Sequence, residues 1–165
     1  MCRDAFDWVN YGTEVNFDLS TQPAPNDNCG WTTFFNQGGG SNLVFNYAKY
    51  YAGEGGTPSP DVMAGHKIKL YNGNMSGNMW HWLADKAAQP GGFSVIVPVI
   101  EEADFVQEEK ILGFANYVIT AVDAVGRGGH TLHGYFRYIE NVNAKEAKGQ
   151  LGLFGIRLSN AALIP

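Results

Sequence analysis

A chain of 165 residues suits one domain, and 45% hydrophobic content supplies the apolar mass for a core. Charged residues make up only 16%, well below the usual quarter, so solubility rests on Asn, Gly, Ser and Thr, a balance common in secreted and surface proteins. A net charge of −5 with 11 scattered basic residues argues against nucleic-acid binding, which needs clustered Lys and Arg to neutralise phosphates, and disfavours an anionic membrane surface.

No apolar run approaches the ~20 residues of a membrane helix. The opening MCRDAFDW is neither a basic nor an apolar leader region. That leaves a cytosolic chain or one trimmed of its leader, and Met1 followed directly by Cys2 suits the second. The two cysteines, Cys2 and Cys29, stand outside any CxxC pattern, which argues against a zinc site or a thioredoxin-like motif. They read either as two unrelated buried thiols or as one disulfide. Cys29 lies in the polar, turn-rich stretch PAPNDNCGW, which favours the bridge. A bridge would contribute on the order of 3 kcal/mol and imply an oxidising compartment.

Residues 1–60 read as an irregular segment packed on a β core at 61–165, the whole forming a single domain. Asn, Asp, Gly and Pro recur over 1–40, yet Phe6, Trp8, Tyr11, Phe17, Trp31, Phe34 and Phe35 are dense there. Such a segment builds no core of its own but can lay rings onto a neighbouring sheet. GGGSN at 38–42 breaks the chain, with Ser41 or Asn42 as a helix cap. Leu43, Val44, Tyr47, Ala48 and Tyr51 then fall at helical spacing. GEGGTPSP at 53–60 is a loop.

HKIKLY at 66–71 alternates as a half-buried strand does, and NGNMSGN at 72–78 is a turn. A second helix is predicted over 78–88. Met79, Trp82, Leu83 and Ala87 share one face, and Pro90 with Gly91 and Gly92 ends it. The β-branched runs SVIVPVI (94–100) and KILGFANYVITAV (110–122), the alternating HTLHGYFRYIENV (130–142) and LGLFGIRL (151–158) read as strands. EEADFVQEE, DAVGRGG and NAKEAKGQ read as polar connections. This spacing predicts a β-rich α+β fold: an antiparallel sheet, small barrel or sandwich carrying two short helices. Gly113, Gly134, Gly152 and Gly155, inside strands, mark bulges or barrel corners.

Chemistry-bearing patterns are sparse. His130 and His133 stand three apart and would point to opposite faces of a strand, with no third ligand nearby in sequence. Glu101–Glu102 and Glu108–Glu109 flank a polar loop and read as solvated carboxylates, with a loose calcium site as the minority reading. No GxSxG, GxxxxGK[ST] or GxGxxG occurs. No nucleophile, base and orienting group assemble, so the expectation is a protein that is not an enzyme and carries no cofactor or metal. Asn74-Met75-Ser76 fits the N-x-S acceptor pattern, which recurs by chance. A 13% aromatic content keeps a secreted carbohydrate- or calcium-binding module as the rival reading.

Taken in order, NCGW (28–31), GHKIKLYNGNMSG, VIVPVI, ILGFANYVITAV and TLHGYFRYIENV resemble the soluble region of TadE/TadG-like tight-adherence pilus assembly proteins over roughly residues 26–142. The residues carrying the likeness are Gly30, Trp31, Gly73, Asn74, Gly77, Pro98, Gly113, Phe114, Gly134 and Phe136. The resemblance implies a structural or interaction role in an extracytoplasmic pilus or adhesion apparatus. Its partners would be other pilus or cell-envelope proteins, or further copies of the chain. Membrane attachment would come only through a segment absent from this chain. In that frame Gly73 and Gly77 allow a turn, Pro98 marks an edge strand or bulge, and Gly113-Phe114-Ala115 packs the sheet.

Overall fold

In a computed structural model the described residues are 11–18, 40–58, 63–69, 76–100, 108–125 and 129–138. They fold as a β-rich α+β unit in the order β1 (Phe17–Asp18), α1 (Ser41–Tyr51), β2 (Lys67–Lys69), α2 (Gly77–Ala87), β3 (Phe93–Ile100), β4 (Glu108–Val125) and β5 (Gly129–Arg137). All strand pairs are antiparallel: β1 with β5, β5 with β4, β4 with β3, and β2 with the start of β4.

The organiser is β4. Its 18 residues extend for about 60 Å at strand geometry, too far for one partner. Lys110 faces Lys67 of β2, Ile119 faces Phe93 of β3, and Val125 faces Gly129 of β5. Along its middle Ala115, Tyr117 and Ile119 point to one face and are fully buried. Val118 and Asn116, on the opposite face, are also buried, so the apolar run KILGFANYVITAV reflects a strand covered on both sides.

Against the first face lies α2. Leu83 and Ala87 pack with Val97 and Val99 of β3, Ala115, Tyr117 and Ile119 of β4, Leu132 and Phe136 of β5, and Phe17. The helix begins where its sequence supplies a cap: the Ser76 hydroxyl accepts from the Met79 N–H at 3.4 Å. It ends before Pro90, and Gly91 and Gly92 follow with φ of +89° and +72°, a region open chiefly to glycine. A Cβ on Gly92 would lie 2.6 Å from the Ile119 carbonyl oxygen, so this turn presses directly on β4.

Three sequence expectations are corrected. The cap of α1 is Gly40, with no side-chain cap hydrogen bond; Ser41 and Asn42 lie inside the first turn. Glu108 and Glu109 belong to β4, opposite Lys69 and Ile68, rather than to the connecting loop, because the short β2 extends the ladder past the end of β3. Part of the irregular N-terminal segment is strand: Phe17 and Asp18 pair with Leu132 and Thr131. The Gly12 and Val15 N–H groups donate to the Phe136 and Gly134 carbonyls at 2.9 and 2.7 Å. Composition hides this strand because its pairing partner lies more than a hundred residues away. Of the aromatic residues of this segment, Phe17 is buried edge-on to Tyr117 at 5.2 Å, and Tyr11 stacks on Tyr138 at 4.5 Å.

Candidate functional site

Two register shifts interrupt β4, one where Val99–Ile100 of β3 passes Gly113 and Ile111, the other between Ile119 and Ala121. The second changes which side chains face the core. Between the two shifts Ala115, Tyr117 and Ile119 do so; after the second, Val122, opposite Leu132, packs on the core. Ala121 and Asp123 are thereby turned to the outer face, a re-aiming that bulges produce.

His133 of β5 lies opposite Ala121 on that outer face. Its Nε2 is 3.0 Å from Asp123 Oδ2, and its Nδ1 is 3.4 Å from Glu14 Oε1. Glu14 is brought there by a bridge to Tyr135. The imidazole, 26% exposed at its side chain, thus lies between two carboxylates that are 66% and 68% exposed. Three stretches of chain, 11–18, β4 and β5, meet at one ring.

The two ring nitrogens sit on different edges of the imidazole, so the carboxylates do not converge on a common point where an ion could be chelated. Among the described residues no group of three His, Cys, Asp or Glu is arranged to hold a metal. Each ring nitrogen faces a carboxylate, and a ring with a single N–H can donate to only one of them.

Other polar groups are spent similarly. The buried Tyr117 hydroxyl donates to the Val15 carbonyl at 2.6 Å, and burial, then the nearby Glu14 charge, raises its pKa far above the ordinary phenol value. Burial, with Tyr138 adding, pushes Tyr11 up to about 12. His130 stacks on Trp80 of α2 at 4.2 Å, so His130 and His133 do point to opposite faces; burial, then the charge of His81, lowers the His130 pKa. Glu54 pairs with Lys86 and accepts from the Trp82 indole N–H at 2.6 Å. Those two hydrogen bonds, that from Lys86 first, lower its pKa below the ordinary carboxylate value.

Of the residues carrying the family resemblance, Gly30, Trp31, Gly73 and Asn74 lie outside the described residues, as do Cys2, Cys29 and Glu101–Glu102. Gly77 opens α2, and a Cβ there would meet nothing within 4 Å. The next motifs come together: Val97, Pro98 and Val99 pair directly with Ala115, Phe114 and Gly113. Gly134 sits against Tyr117, where a Cβ would fall 2.1 Å from the Val118 carbonyl oxygen and 2.7 Å from the Tyr117 ring. Phe136 packs on the same ring at 5.2 Å. Gly113 and Gly134 both border register shifts.

Sequence reading missed Glu14 and Asp123. Neither stands near His133 in the chain, and Asp123 reaches its face only through the frame change in β4. No family model, no curated protein and no solved structure matches this chain.

Proposed function

We propose that this chain is a non-enzymatic structural or interaction domain working outside the cytoplasm, in a surface-pilus assembly or adhesion apparatus of the tight-adherence type. The observation that carries this reading is the register of β3 on β4. Motif pieces separated in sequence, Val97-Pro98-Val99 and Gly113-Phe114-Ala115, are cross-strand partners residue by residue. Val97, Val99 and Ala115 face α2, while the paired Pro98 and Phe114, both half-buried, lie on the opposite face beside Ile96, which is 54% exposed. The polar groups that could do chemistry are engaged in joining strands and helices, which suits a scaffold better than a catalyst.

Partners in this reading are other pilus or cell-envelope proteins or further copies of the chain. The test is electron microscopy of cells lacking the gene beside the parent strain. Lost or shortened pili, restored by the wild-type gene but not by an Ile96→Asp form, are the expected result. Normal piliation would remove the assembly role.

A second reading, a carbohydrate-binding module, draws on Tyr50 and Tyr51 at the end of α1, 47% and 65% exposed. Exposed rings of this kind can stack on sugars. A glycan array without binding would sink it.

A further inference from the structure

We propose that Glu14, His133 and Asp123 form a proton-dependent latch that fastens the segment 11–18 to the edge of β5. The inference is independent of the pilus reading, since it rests only on the placement of three side chains.

The segment is held by two kinds of contact. One kind does not change with pH below the phenol range: the Gly12 and Val15 N–H groups on the Phe136 and Gly134 carbonyls, the Tyr117 hydroxyl on the Val15 carbonyl, and Phe17 in the core. The other is the imidazole between carboxylates. Imidazole is the side chain that ordinarily changes charge between pH 5 and 8. A doubly protonated ring has two N–H donors and can serve Glu14 and Asp123 together. A neutral ring has one donor and leaves the other nitrogen's lone pair facing a carboxylate. Protonation therefore adds a charge-assisted hydrogen bond that ties 11–18, β5 and β4 at one point, and its loss loosens the member of the three held by the fewest contacts.

Among the described residues the charged groups facing the ring are Glu14 from the segment preceding β1 and Asp123 from β4. No charged group of β5 itself contacts it among the described residues. Because all three side chains reach solvent, the latch adjusts docking by degrees rather than unfolding the sheet. Its loosening uncovers the carbonyls of Gly134 and Phe136, an unpaired strand edge of the kind that recruits a further strand.

The test is amide hydrogen exchange of Gly12 and Val15, corrected for the intrinsic pH dependence of exchange, in the wild-type chain and in Glu14→Gln and His133→Asn. Protection in the wild type should fall by about threefold to fivefold between about pH 5.5 and about pH 8, the scale of one surface ion pair. Both variants should show little pH dependence, and Asp123→Asn should resemble them. Equal pH dependence in the wild type and Glu14→Gln would overturn the proposal. Glu14→Gln alters an exposed side chain, so a folding defect in His133→Asn would still leave a decisive comparison.

Discussion

The two helices have the same length and meet the rest of the molecule very differently. In α2 the residues Met79, Leu83 and Ala87 are buried, and the helix lies on β4 with its indole rings against Phe93, Phe45 and His130. In α1 the only buried residue is Val44. Its described ties to α2 are the edge-on contact of Phe45 with Trp82 at 5.7 Å and, just beyond its end, Glu54 with Lys86 and Trp82. Both sequences show an apolar stripe. A stripe states what a helix can bury; the sheet beneath decides how much it does bury, and most helical stability comes from that packing rather than from propensity.

The largest expected effect is at the platform that carries α2. Gly134→Ala places a methyl against the Val118 carbonyl and the Tyr117 ring and should cost about 3 kcal/mol by overpacking. Gly77→Ala, where a Cβ meets nothing, should stay within about 1 kcal/mol on the stabilising side. Denaturant unfolding that finds the two glycines equivalent would show that β5 has moved away from Tyr117. Leu83→Ala on α2 should then cost about 2.5 kcal/mol, against about 1.5 kcal/mol for Val44→Ala on α1 from two lost methyl groups. Equal costs would break the contrast between the helices.

Smaller effects sharpen it. Tyr117→Phe removes the donor to the Val15 carbonyl and should cost about 1 kcal/mol, with faster amide exchange over 11–18. Ultraviolet titration should find phenols that resist ionisation. Tyr11 is pushed up to about 12 and Tyr117 moves in the same direction. A pKa raised on folding contributes stability that is whole below the ordinary value of 10 and fades as pH rises toward 12, so unfolding should become easier there. Glu54 has the opposite sign. Its pKa is lowered from 4.5 by Lys86 and Trp82, so its contribution is present above that value and is lost as pH falls through the folded one. Trp82 emission should shift on acidification in the wild type and not in Glu54→Gln.

The fold class was legible because its signals are local. The β-branched runs lie where β3 and β4 form, and α2 was predicted within a residue at each end, since Ser76, Pro90 and the two glycines act on their own neighbours. Gly113 and Gly134, read as bulge positions, border the two register shifts. The cap of α1 was misplaced because three glycines precede Ser41 and the backbone of Gly40 starts the helix without a side-chain bond. The second strand of Glu108 and Glu109 and the pairing of Phe17 were invisible for a different reason, since each depends on a partner remote in sequence.

By itself, then, the sequence determined a β-rich antiparallel chain with two helices, few charges and no recognisable catalytic pattern, because periodicity, capping and turn chemistry act within a few residues. Only the tertiary structure decided that β4 would serve three strands, and that the motif residues of β3 and β4 would become partners. It also decided that Glu14 and Asp123 would meet at His133. Those outcomes follow from register, and register is settled by which side chains the core accepts: one extra residue between Ile119 and Ala121 turns Val122 inward and Asp123 toward the histidine.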